Sequence, residues 1–180
     1  MKNKEIKTNA MRLLEREKIP YTQHTYECEE FVDALQIADM LSLPYEKVCK
    51  TLVTVGSSRN YYVFVIPIAE ELDLKKAAKS VGEKAVSMIP VKEINAVTGY
   101  IRGGCTAIGM KKQYVTRIDR SAEALKTVIV SGGRLGSQIE LNPGDLCRAA
   151  KAEFADICAP GKSRQVHNMD GKRKDTEQSG

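Results

Sequence analysis

The chain has 180 residues, 42% hydrophobic and 28% charged, and a formal net charge of +5. That is the length of one ordinary domain with enough apolar residues for a core, and no apolar run reaches the ~18 residues that a membrane span needs. The polar start, Met1 to Lys7, lacks the apolar stretch of a secretory signal, so a cytoplasmic protein without a membrane partner is expected.

Thr8 to Lys18 places Ala10, Leu13 and Leu14 on one side, which predicts an amphipathic helix closed by Pro20. Tyr21 to Tyr26 alternates like a short strand. Asp33 to Leu43 predicts a second helix, with Leu35, Ala38, Met40 and Leu41 on its apolar side and Pro44 as its stop. Val48 to Val55 and Tyr61 to Ile68 read as two strands of a hairpin turning at Gly56 to Asn60. Leu72 to Val81 is a helix, with Leu74, Ala77, Ala78 and Val81 in register and Gly82 after it. A short strand over Ala85 to Met88 and a short helix over Pro90 to Ala96 follow. Gly99 to Gly109, GYIRGGCTAIG, is a glycine-rich loop. Val115 to Asp119 and Thr127 to Val130 are strands. Ser131, Gly132, Gly133 and Gly136 form a second glycine-rich turn. Asn142 caps a last helix with Pro143 at its first position.

The pattern predicts a mixed α/β (α+β) domain over 1–160, and a disordered basic tail over 161–180, where apolar periodicity stops. A doubly wound dinucleotide fold is disfavoured, because neither glycine cluster forms GxGxxG between a strand and a helix, and GxxxxGK[ST] does not occur. The five cysteines are single and form no CxxC, and the two histidines are His24 and His167. Neither a disulfide framework, a metal site nor a cofactor is expected from them.

Lys50 is the first candidate for chemistry. It interrupts an apolar strand, with Val48, Lys50 and Leu52 on one side and Cys49, Thr51 and Val53 on the other. Two readings are open: a cation in a pocket that holds a phosphate or a carbonyl oxygen, or an edge-strand lysine in solvent. Gly103 and Gly104 allow close backbone approach to a ligand oxygen, or make an ordinary turn. Ser131 beside Gly132 offers a hydroxyl to a substrate or water, or ends a strand. Arg102, Lys111 and Lys112 are a weak basic cluster that could meet RNA backbone; the net positive charge fits a nucleic-acid partner without establishing one.

These residues carry a family resemblance. The segments are HTYE at 24–27, KTLV at 50–53, LDLKKAAKSVG at 72–82, TGYIRGGCTAIGMKK at 98–112, VSGGRLG at 130–136 and FADI at 154–157. In this order and spacing the chain resembles the YbaK/EbsC group, free-standing aminoacyl-tRNA deacylases related to the editing domain inserted in bacterial prolyl-tRNA synthetase. The YbaK branch is the nearer match. The resemblance implies that group's fold, a central mixed sheet or partial barrel with packed helices. It also implies trans-editing of misacylated tRNA without a cofactor, by release of cysteine from Cys-tRNA(Pro) and, as a second substrate, Cys-tRNA(Cys). Prolyl-tRNA synthetase is the implied protein partner. Lys50, Gly103 and Gly104 match the catalytic positions, and Tyr26, Phe31, Thr51, Ser131 and Gly132 the substrate-binding ones. One departure stands out: Ala107 occupies the place of a proline that usually ends the glycine loop. The competing expectations are a deacylase for another small amino acid such as alanine, a non-catalytic module that binds tRNA or a synthetase, and an unrelated small-molecule hydrolase.

Overall fold

A computed structural model describes residues 7–28 and 30–159. The expected tail lies outside the described residues. Helix α1 (Asn9–Arg16) starts where the Thr8 hydroxyl accepts the Met11 N–H at 3.2 Å, and it buries Ala10, Met11 and Leu14. Strand β1 (Thr22–Thr25) leads to α2 (Ala34–Met40), which opens with a reciprocal capping box between Asp33 and Gln36. The hairpin of β2 (Cys49–Gly56) and β3 (Tyr61–Pro67) pairs Cys49 with Pro67 and Val55 with Tyr61.

Next come β4 (Glu71–Leu72) and α3 (Leu74–Val81), capped by the Asp73 carboxylate and closed by Gly82 at φ 75°. β5 (Val86–Met88) and a 3-10 turn over Val91–Glu93 run into α4 (Ile94–Thr98). β6 (Val115–Asp119), a 3-10 turn over Arg120–Ala124 and β7 (Val128–Ser131) precede β8 (Ser137–Leu141). α5 (Pro143–Ala150), capped by Asn142, and strands β9 (Ala152–Ala155) and β10 (Cys158–Ala159) complete the order.

The strands form a five-stranded sheet β5-β2-β3-β6-β9, a three-stranded sheet β1-β8-β7 and the pair β10-β4. The large sheet is mixed: β5, β2 and β3 are antiparallel, while β3, β6 and β9 are parallel. A single parallel bridge, Val48 to Ile129, ties the two larger sheets together. Of the two expected forms, the mixed sheet is the one present; it does not close into a barrel.

β3 is apolar throughout because both its faces are covered. Val63 and Val65 meet α1, β7, β8 and α5 through Met11, Leu14, Val130, Ile139 and Leu146. Tyr62, Phe64 and Ile66 meet Ala77 and Ala78 of α3 and also Ile157. Burying a side chain of the size of Phe64 contributes roughly 1.5–3 kcal/mol. The helical faces differ in part from expectation. Met11 is buried in α1 where Leu13 is only partly so, and in α2 Ile37 and Ala38 are buried while Leu35 and Met40 stay exposed. Strands β8, β9 and β10 have no counterpart in the sequence reading, and Leu72, expected to open a helix, pairs instead with Cys158 of β10 in strand β4.

Candidate active site

β2 lacks a neighbouring strand along part of its outer edge. β5 pairs only with Thr54 to Gly56, and along Cys49–Val53 that edge faces a cavity of about 560 Å³. This volume falls in the usual range for small-ligand sites. Three segments close around it. The approach to α2 and its first turn supply Phe31 and Leu35, the β5–α4 connection supplies Met88, Val91 and Ile94, and the glycine loop supplies Arg102, Gly103 and Cys105. Ser131 at the end of β7 and Gln138 opposite it on β8 complete the lining.

Lys50 and Thr51 both line this cavity. Lys50 is half-buried, and its ammonium makes no hydrogen bond or ion pair among the described residues. Withdrawal from water lowers its pKa, and nearby Glu71, Cys158 and Glu70 act in the opposite direction. The result is a cation at a cavity wall with unused donors.

Gly103 sits at φ 85°, where a side chain is disfavoured, and a Cβ there would lie 2.7 Å from Leu135 Cδ2 and 3.0 Å from the Phe31 ring. Phe31 in turn carries the Arg102 guanidinium 3.9 Å above its centroid. Gly104 has a different task. A Cβ on it would lie 2.9 Å from Arg134 Cα, so the two glycine loops touch backbone to backbone. Its N–H donates to the Ile101 carbonyl at 2.9 Å, closing a turn. The expectation that both glycine amides face a ligand therefore narrows to Gly103, whose N–H meets no acceptor among the described residues. Ala107, in the place of the family's proline, is buried in the main core, so packing fixes the end of the loop.

Other expected residues divide between wall and support. Ser131 lines the cavity, and its hydroxyl accepts the Gly133 N–H at 3.2 Å. Gly132 does not line it: its N–H donates to Ser137 at 2.9 Å, and its carbonyl accepts the Thr8 hydroxyl at 2.6 Å. Tyr26 does not line it either. Its hydroxyl is buried without a hydrogen bond of ordinary geometry, beside the Gln138 side chain, and burial raises its pKa. The expected basic cluster is split: Arg102 belongs to this cavity, whereas Lys111 and Lys112 line a second one.

Among the described residues the lining holds neither a histidine base nor an activated thiol. His24 lies elsewhere, with Nε2 2.8 Å from Glu140, whose other oxygen pairs with Lys47 at 2.7 Å. Burial pushes the Cys105 thiol up to about 11, against a smaller opposing effect of Thr98, so little thiolate exists at neutral pH. Cys49, also in the lining, is pushed up to about 12, by burial and then by Asp119. Sequence reasoning missed Gln138, because SQIEL was not read as a strand; its alternation of Ile139 and Leu141 was the available signal. What the arrangement offers is a cation, a free amide and a hydroxyl around an apolar cavity, suited to orienting an ester and stabilising charge that develops on its oxygen.

A family model described as the aminoacyl-tRNA editing domain matches residues 23–149, which hold every lining residue named above. The chain is 44% identical over 157 residues to the Enterococcus faecalis protein named "Putative Cys-tRNA(Pro)/Cys-tRNA(Cys) deacylase EbsC", over 87% of this chain and 96% of that one. A crystal structure of a hypothetical protein matches with TM-score 0.77 at 22% identity, over 84% of this chain and 99% of that one. Another, described as "a putative trans-editing enzyme for prolyl tRNA synthetase", matches with TM-score 0.72 at 22% identity, over 86% and 99%. At such identity these two structures speak for the fold.

Proposed function

The chain belongs to the aminoacyl-tRNA editing domain family, and on that footing we propose that it is a free-standing deacylase that releases cysteine from Cys-tRNA(Pro), with Cys-tRNA(Cys) as a second substrate. The observation that carries this reading is Lys50: a half-buried ammonium without hydrogen bond or ion pair among the described residues, on the wall of a cavity of about 560 Å³. The relative at 44% identity bears a name with the same two substrates.

In this reading residues 1–160 act as one editing domain. The terminal adenosine and its amino acid enter the cavity past Phe31 and Arg102. The Gly103 N–H faces the ester carbonyl oxygen, and Lys50 holds the terminal phosphate or ribose. Thr51 and Ser131 line the space around the amino acid, while Gly104, Gly132 and Tyr26 support those walls. Attack on the carbonyl carbon breaks its bond to the ribose oxygen, which leaves with a proton as the free tRNA hydroxyl. The attacking group is water or, for cysteine, the substrate's own thiol, which passes its proton to the leaving ribose oxygen and closes a four-membered thiolactone that water then opens to free cysteine. No protein nucleophile is required, consistent with the high thiol pKa of Cys105. Fixed donors of this kind supply much of a rate enhancement where negative charge develops. Prolyl-tRNA synthetase supplies the tRNA identity, and the cytoplasm, where tRNA is charged, is the expected location.

The test is release of labelled amino acid from Cys-tRNA(Pro), Cys-tRNA(Cys) and Ala-tRNA(Pro) by the purified protein. Fast release of cysteine from the first two and slow release of alanine is the expected ranking. Faster release of alanine would assign the site to another small amino acid, and release from none would remove the deacylase reading.

A further inference from the structure

A second cavity, of about 450 Å³, lies on the other side of the α4 segment. Tyr61, Tyr114, Lys111 and Lys112 line it, with Val97 and the single carboxylate Glu93. One packed cluster separates the two cavities. Val53, Ile89, Ile94 and Cys105 face the first, whereas Tyr61, Val97 and Tyr114 of the same cluster face the second. A chain entering the first cavity therefore has the second within one helical segment of its path.

The second cavity is held in shape. Tyr114 donates its hydroxyl to the Val97 carbonyl at 2.6 Å and meets the Tyr61 ring edge-on, with centroids 5.8 Å apart at 80°. The Lys111 N–H donates to Thr98 at 3.0 Å, and Gln113 reaches the Ala150 carbonyl at 3.0 Å. The backbone carrying the two lysines is thus anchored to α4 and α5, which lowers the ordering cost of using them. Both lysines are exposed, and neither makes a hydrogen bond or an ion pair through its side chain among the described residues. Ring surface beside unpaired cations on a fixed backbone matches the chemistry of single-stranded nucleic acid: base stacking on the aromatic side chain and a phosphate on each ammonium.

We propose that this cavity is a second RNA site, which takes an unpaired nucleotide of the tRNA 3′ end just before the terminal adenosine, with Lys111 and Lys112 on the phosphates and Tyr61 against the base. This rests on the deacylase reading, because it places the terminal nucleotide in the first cavity. It adds a contact that sets affinity for the RNA and takes no part in bond breaking.

The test reads binding, so it does not depend on turnover. An uncharged RNA hairpin with a single-stranded 3′ overhang and the same hairpin with a blunt end are titrated against the full-length protein by fluorescence anisotropy. The wild type is compared with the double variant Lys111→Ala/Lys112→Ala and with Tyr61→Ser. The double variant is expected to bind the overhang hairpin about tenfold more weakly, and the slope of log affinity against log salt to fall by about 1.4, since a single-strand phosphate contact contributes ~0.7. Tyr61→Ser is expected to lower the preference for the overhang over the blunt end, leaving the share due to the terminal adenosine in the first cavity, while keeping the salt slope. Equal binding of both hairpins by wild type and double variant would overturn the proposal. So would a loss that appears only when prolyl-tRNA synthetase is present, which would make the surface a protein interface. Failure of the deacylase reading shows separately, as absence of amino acid release.

Discussion

Gly103 and Gly104 adjoin in sequence but respond differently to a side chain. At Gly103 an added methyl meets the end of Leu135 and the Phe31 ring, groups that can move, though φ 85° adds a strain of roughly 1–2 kcal/mol. At Gly104 it meets the Arg134 backbone, which has nowhere to go without parting the two loops. Urea unfolding should therefore rank Gly104→Ala as the more destabilised, and a larger loss in Gly103→Ala would contradict this packing. Cys105 gives a second prediction at this scale. Its thiol pKa of about 11 leaves it a poor nucleophile, so Cys105→Ala should keep its turnover within about threefold of wild type. A fall of about a hundredfold or more, with the fold intact, would make the thiol a participant. The residue types were legible in the sequence: a lysine in an apolar strand and paired glycines are anomalies in any pattern. Their division of labour was not, because the occupied Gly104 amide and the buried Gly132 depend on which loop lies against which.

Elements whose ends are set locally were legible too. Asn142 reads as a cap, and Thr8 and Asp33 as the residues that open their segments, because each signal lies within a few residues of its effect; Asp73, which caps α3, is passed over when the apolar register starts at Leu72. β8 and β9 were not legible, for a different reason. β8 is short and includes buried polar Ser137 and Gln138, so its apolar run is weak; β9 pairs in parallel with β6 through contacts that no local pattern specifies. What secures β8 is Glu140. Burial alone would raise its pKa, but Lys47, Thr127 and His24 outweigh that and hold it at about 2, below the usual 4.5. A depressed carboxylate stabilises the fold above its unfolded pKa, and this contribution disappears as pH falls from about 4.5 to about 2. Glu140→Gln should therefore be less stable than wild type at neutral pH, by roughly 2 kcal/mol for the charged hydrogen bonds lost. The difference should vanish near pH 2. A constant difference across that range would show that the carboxylate charge is not the cause.

At the scale of the molecule, the cavity exists because the strand cover of β2 is incomplete. β5 stops at Thr54, the Val48–Ile129 bridge holds the second sheet beyond the gap, and the edge between them is open to a ligand. No stretch of sequence encodes that gap, since it is made by where two sheets meet. Of the residues that the family resemblance named, Lys50, Gly103, Phe31, Thr51 and Ser131 surround it while Gly104, Tyr26 and Gly132 do not, and the assembled sheets explain why Lys50, Gly103 and Ser131, far apart in the chain, reach one space.

Lys50 carries the deacylase reading, and one measurement addresses it: single-turnover release of cysteine from Cys-tRNA(Pro) by wild type and Lys50→Ala, with tRNA binding measured alongside. The predicted result is rapid release by wild type and a loss of about 10²-fold in the variant, as when a positioned ester is misplaced by about 1 Å, with both proteins folded. Release at an unchanged rate in Lys50→Ala would contradict the account, because the unpaired cation on the cavity wall would then have no part in the chemistry.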